Sequence, residues 1–202
     1  MTIGWVTTEQ RAPELALKAE KAALLIIDWQ ERLAAAMPQE EQEAKLRNAL
    51  ILCRMAGKLG LPVIVSEQYP KGLGPTVHPI LEALAPLGDT VHRFEKLTFS
   101  CAPVSEMKEA LRATRRGQLI VCGMETHVCV FQTVRDVCGP GYDLVVHVAA
   151  DAVLSRRKAD YKVGLDLMRQ AGAVVTCTET VLFDLLGCAG TPEFKELSKL
   201  VK

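Results

Sequence analysis

Residues 118–138, "QLIVCGMETHVCVFQTVRDVC", change character midway. From Gln118 to Gly123 the run is apolar and β-branched without alternating, the pattern of a strand covered on both faces. Beyond Thr126 the spacing becomes helical, so a strand passes almost directly into a helix. That is half of a βα unit, and Cys129 stands just past its seam.

The same unit recurs outward in both directions. Short apolar runs predict strands at 22–28, 62–67, 90–94, 118–123, 143–148 and 173–177. Amphipathic segments fit between them: 40–60, 103–117 and 158–172, each closed by a glycine and the last two preceded there by basic residues. Alternation of this kind predicts an α/β fold, a three-layer αβα arrangement around a six-stranded, mainly parallel, Rossmann-like sheet. The stretch "SEQYPKGLGPTVHP" (66–79) follows a strand directly and predicts a loop at a carboxyl end of the sheet. No repeat, low-complexity tract or linker divides the chain, so residues 1–202 are expected to form a single domain, with a short helix in "TPEFKELSKLVK".

Composition narrows the partners. Lys+Arg 24 against Asp+Glu 24 gives a formal charge of zero, with no footprint for nucleic acid or an anionic membrane. A small-molecule substrate or a second copy of the chain is the expected partner. No apolar run reaches the ~18 residues of a membrane span, and the N-terminus "MTIGWVTTEQRAPELALKAEK" lacks the form of an export signal. Seven cysteines, without small-scaffold spacing, point to free thiols and a cytoplasmic setting.

Ligands of open parallel sheets bind beyond the carboxyl ends of the strands. Asp28 closes the first predicted strand, Lys96 lies just past the third, and Cys129 falls in the first turn of the helix after the fourth. An acid, a base and a thiol thus converge on one rim. A helix N-terminus and a nearby ammonium both favour thiolate, and Asp28 can accept the thiol proton. Each residue also has an ordinary role: Cys129 in packing, Asp28 as a cap or loop anchor, Lys96 as a solvated charge. The other cysteines read as structural. No glycine-rich turn follows the first strand, and no P-loop or G-x-S-x-G elbow occurs. The four histidines lack zinc spacing and Cys-x-x-Cys is absent, so neither a metal nor a cofactor is expected.

The set "LLIIDWQ", "FEKLTFS" and "LIVCGMETHVCV" resembles the isochorismatase-like cysteine hydrolases, the superfamily that includes nicotinamidases and N-carbamoylsarcosine amidases. The likeness runs from the first strand to about residue 187 with motif order and spacing intact. The loop "SEQYPKGLGPT" and tail "GTPEFKELSKLVK" resemble the isochorismatase domain-containing subgroup. This resemblance implies a triad of Asp28, Lys96 and Cys129, a cis peptide between Met124 and Glu125, and an oxyanion hole from the backbone N–H groups of Glu125 and Cys129. It also implies a homo-oligomer. Nicotinamidases carry an Asp-x-His metal segment where this chain has "SEQYP", which implies no catalytic metal. True isochorismatases replace the cysteine, so Cys129 favours acyl-enzyme chemistry on an amide, ureido or related C–N bond. Trp29, Tyr69 and Phe99 are candidates for the pocket wall or for ordinary aromatic packing. Two alternatives stand beside the hydrolase: a quiet binding or scaffolding oligomer, suggested by apolar segments such as "VLFDLLG", and a thiol-redox protein.

Overall fold

The computed structural model describes residues 15–202. Residues 1–14, part of the stretch read as lacking an export signal, lie outside the described residues. β1 (Ala22–Ile27) is buried at every position, because its alternate side chains enter different clusters. Ala22, Leu24 and Ile26 face one, and Ala23, Leu25 and Ile27 the other. The strands β2 (Val63–Gln68), β3 (Val91–Lys96), β4 (Gln118–Met124), β5 (Val145–Leu154) and β6 (Val174–Thr176) complete the sheet. Its order is β3-β2-β1-β4-β5-β6 and every pairing is parallel. The helices are α1 (Glu31–Ala35), α2 (Gln39–Leu59), α3 (Pro70–Leu73), α4 (His78–Leu84), α5 (Ser105–Thr114), α6 (Phe131–Val137), α7 (Lys158–Gln170), α8 (Thr178–Leu186) and α9 (Pro192–Leu197). Apolar residues of α2, α4 and α8 cover one face of the sheet, and those of α5, α6 and α7 the other. This is the three-layer α/β fold that the alternation predicts.

The chain travels outward from β1 to β2 and β3, then returns to the far side of β1 for β4. The order therefore reverses between β1 and β4, where open sheets place their crevice. Register completes the arrangement: Ile27 lies opposite both Ser66 and Gly123, and Gln68 opposite Lys96. Asp28, Lys96 and the turn after Met124 emerge on one rim.

Four segments differ from their sequence reading. β5, expected at 143–148, runs on to Leu154. Asp151 breaks its apolar pattern, but that carboxylate accepts from the Thr178 backbone N–H (2.8 Å) and hydroxyl (2.9 Å), capping the start of α8. The 66–79 segment is not a simple loop. It contains the end of β2, all of α3 and the start of α4, and both helices begin with a proline in their first turn. "VLFDLLG" forms most of α8, where Val181, Leu182 and Leu185 are buried and Phe183, 40 % exposed, is the large apolar side chain that reaches outward. It supplies core instead of a docking face. Finally, α5 ends at Thr114, before Gly117. No helix among the described residues is long and apolar enough to cross a membrane.

Candidate active site

Asp28 follows β1 directly, in the left-handed region at φ 49°, which aspartate tolerates better than most residues. Its carboxylate is fully buried. One oxygen accepts from the Ser66 hydroxyl at 2.7 Å and the other from the Lys96 ammonium at 2.7 Å. Lys96 ends β3, and its side chain is as completely enclosed as that of Asp28. Its Nζ also donates to Gln68 Oε1 (2.7 Å) and to the carbonyls of Phe99 (3.0 Å) and Thr98 (3.3 Å). A buried ion pair persists when such bonds replace its water.

Cys129 lies in a π-helical turn, Thr126–Val130, that links β4 to α6. It is 6 % exposed, and its thiol lies close enough to Asp28 and Lys96 to feel the charge of both. Burial raises the thiol pKa above its ordinary value, the Asp28 charge raises it further, and Lys96 pulls the other way without prevailing. The expected effect of Lys96 thus has the right sign, but the expectation of a low-pKa thiol is reversed. A helix terminus favours thiolate where water can also reach the sulfur, and here enclosure wins. Burial likewise raises the Asp28 pKa, against the opposing pull of Lys96, Ser66 and Cys129. For Lys96, burial lowers the pKa, but attraction to Asp28 and the nearby thiols outweighs it and the net change is upward. The arrangement sets a buried carboxylate–ammonium pair beside a thiol that enclosure and Asp28 both push toward its protonated form.

The supporting shell has no signature in the sequence. Ser66 sits in an apolar strand, and Gln68 and Gln30 are amides without a motif. Yet Gln30 Oε1 accepts from the Gln68 N–H at 2.7 Å, while Gln30 Nε2 donates to the carbonyls of Gln68 (3.0 Å) and Gly74 (2.7 Å). That bracket fixes the backbone of Gln68, whose side-chain amide holds Lys96. Cys101 is also nearer than expected. Its backbone N–H donates to Thr133 Oγ1 at 2.9 Å, and its thiol, raised to about 11 mainly by burial, feels the charges of Lys96 and Asp28.

Two glycines bring the backbones close enough. A Cβ on Gly123, at φ 132°, would lie 2.1 Å from the Ile27 carbonyl oxygen, so β4 meets β1 where Asp28 departs. A Cβ on Gly164 would lie 2.9 Å from the Thr126 carbonyl, so α7 rests directly on the Cys129 turn. The Met124–Glu125 peptide is cis. The Glu125 carboxylate, 8 % exposed, accepts from the Arg156 backbone N–H (3.0 Å) and from its Nε (3.1 Å). His127 Nδ1 and the Ser155 hydroxyl are 3.0 Å apart, a second tie between the turn and the end of β5.

The aromatic candidates separate. Trp29 is completely buried, in the cluster on the α2 and α4 side, and forms core instead of a pocket wall. Tyr69 is 51 % exposed and lines an open cleft of about 320 Å³ with Pro70, Lys71, Glu95, Lys96 and Leu97. Phe99, 54 % exposed, stands beside the Lys96 ammonium through its own carbonyl. Among the described residues no three His, Cys, Asp or Glu side chains gather as a metal would require. All seven cysteines are free thiols.

Comparison with known proteins places this geometry. The isochorismatase domain family matches residues 22–180. Isochorismatase domain-containing protein 2 of Xenopus laevis is 41 % identical over 150 residues, covering 74 % of this chain and 69 % of the relative. The secreted isochorismatase effector Isc1 of Phytophthora sojae is 42 % identical over 145 residues, covering 71 % and 68 %. Among solved structures, the MAR1 ribonuclease of Caenorhabditis elegans superposes with a TM-score of 0.83 at 34 % identity, covering 92 % of each chain. On the domain match and on relatives of this similarity, the chain belongs to the isochorismatase family.

Proposed function

We propose that the protein is a cysteine hydrolase of small amide, ureido or related C–N substrates, working as one catalytic domain over residues 1–202. The observation that carries this reading is a buried thiol in the turn after β4 whose ionisation is coupled to both members of a 2.7 Å carboxylate–ammonium pair. As Cys129 sulfur attacks the carbonyl carbon, its proton passes to Asp28, whose raised pKa suits it as the acceptor. The backbone N–H groups of Glu125 and Cys129 receive the oxyanion. Asp28 returns the proton to the departing nitrogen, leaving a thioester. Asp28 then takes a proton from water as it attacks, and hands that proton to the Cys129 sulfur as the thioester C–S bond breaks and the acid forms. Lys96 offsets the charge on sulfur and keeps Asp28 ionised at rest. None of these steps calls on a metal or cofactor.

Tyr69, Leu97 and Phe99 would receive the apolar part of the substrate or a second copy of the chain, and we include self-association and a cytoplasmic setting in the proposal. Leu97 is 78 % exposed, and the free thiols suit a reducing compartment. The name of the C. elegans relative raises RNA as a substrate. A formal charge of zero supplies no net attraction for a phosphodiester chain, so the small C–N substrate ranks first.

The test is a panel of amides and ureido compounds with wild type and Cys129→Ala, with intact-mass analysis for a thioester. Turnover by wild type alone, with an adduct mapped to Cys129, is expected. Equal turnover by the alanine variant overturns the mechanism, and RNA cleavage lost in that variant reverses the substrate order.

A further inference from the structure

Glu125 presents an electrostatic problem that the proposed reaction makes acute. The residue assigned a donor role through its N–H also carries a carboxylate, and covalent geometry keeps the two within roughly 5 Å. The carboxylate is only 8 % exposed, so water screens it poorly. An unopposed anion there would repel the oxyanion that the N–H is meant to receive. Arg156 meets the carboxylate twice, through its backbone N–H at 3.0 Å and through Nε at 3.1 Å to the same oxygen. Nε is also 3.2 Å from the second oxygen. The contact joins the residue after β4 to the second residue after β5, on neighbouring strands whose ends pair Met124 with Leu154.

Building on the hydrolase reading above, we propose that Arg156 is a positioning residue that neutralises Glu125, so that the site accepts anionic charge developing at, or carried into, the oxyanion position. Its backbone N–H fixes the Glu125 side chain, and its guanidinium cancels the charge. Arg156 is itself 61 % exposed, so replacing it disturbs little packing.

The test compares Cys129 carboxymethylation by iodoacetate, an anion, with carbamidomethylation by iodoacetamide, which is neutral. In both, sulfur displaces iodide and forms an S–C bond, so the ratio of rates cancels the thiol's own ionisation and reads the local potential. The exposed Cys188 serves as internal reference. Arg156→Gln is expected to lower the iodoacetate-to-iodoacetamide ratio at Cys129 about three- to tenfold, and Glu125→Gln to raise it by a similar factor. The double variant returns near wild type, and Arg156→Lys, which keeps the charge without the fork, stays close to wild type. A merely structural role would slow both reagents together and leave the ratio unchanged. A ratio within twofold of wild type in both single variants overturns the proposal. If neither reagent labels wild-type Cys129, the nucleophile assignment fails and this inference falls with it. Labelling with an unmoved ratio sinks the inference alone.

Discussion

The thiol at residue 129 is governed first by burial and then by two neighbours of opposite sign. Asp28→Asn removes the negative charge that helps hold the proton on sulfur, so the pH profile of Cys129 alkylation is expected to move down by about one pH unit or more. Lys96→Ala removes the opposing charge and moves it up by a similar amount. Turnover nevertheless falls in both, about 10²–10⁴-fold for Asp28→Asn, because an amide cannot take the proton. Faster labelling combined with lost activity distinguishes a base from a mere electrostatic neighbour. Site-resolved mass spectrometry across a pH series provides the check, and profiles moving the same way would contradict the arrangement. Lys96→Ala also strands the Asp28 carboxylate in the interior, at a stability cost of about 3–5 kcal/mol, measurable by urea titration.

At the scale of elements, the site depends on close approaches that only glycine permits. Gly123→Ala would place a Cβ 2.1 Å from the Ile27 carbonyl oxygen at a φ that side chains rarely adopt, and is expected to cost about 2–5 kcal/mol by denaturant titration. Gly164→Ala pushes α7 from the Thr126–Val130 turn, at about 1–3 kcal/mol, and slows Cys129 alkylation more than that of Cys101. A stability loss confined to the expected range with unchanged Cys129 labelling would mean that the turn does not depend on α7. β1 and β4 are legible in the sequence because both of their faces are buried, which leaves a continuous apolar run. β5 reads short because Asp151 resembles a strand end until its cap on Thr178 is seen, and α8 escapes notice because its buried stripe looks like unpatterned hydrophobicity. Asp28, Lys96 and Cys129 can be placed from local position alone. Ser66, Gln68 and Gln30 cannot, since their roles arise from register between strands and bonds spanning 38 residues. The direction in which the Cys129 pKa moves depends on enclosure, which a linear reading does not supply.

For the molecule as a whole, buried thiols tie stability to alkaline pH. Burial moves Cys53 from 9.0 to about 12, and Cys101 and Cys138 to about 11. The folded protein therefore keeps protons that the unfolded chain releases near 9.0. Their contribution is complete below that pH and is lost as pH rises through 11–12. The raised Lys96 pKa adds to the same trend. Denaturation midpoints are expected to be flat from about pH 7 to 8.5 and then fall, with a loss of about 2–3 kcal/mol per enclosed thiol by about pH 11, since each pH unit between a folded and an unfolded pKa is worth about 1.4 kcal/mol. Cys53→Ala removes its share of the slope, and an unchanged slope in that variant would show that the thiol is not enclosed.

The approach to Lys96 passes beside a segment stitched down along its length. Thr76 donates its N–H and hydroxyl to Glu67 Oε1 at 2.7 and 2.6 Å, and also bridges to Gln30, whose amide holds Gly74 and Gln68. For the proposed substrate entrance, this stitching predicts a fixed aperture instead of a hinged one. Amide protons of Gln68, Thr76 and Val77 would exchange with deuterium as slowly as those of the sheet interior. Candidate compounds would then be sorted by rigid outline before any chemistry begins, with bulky analogues excluded outright and not merely turned over slowly.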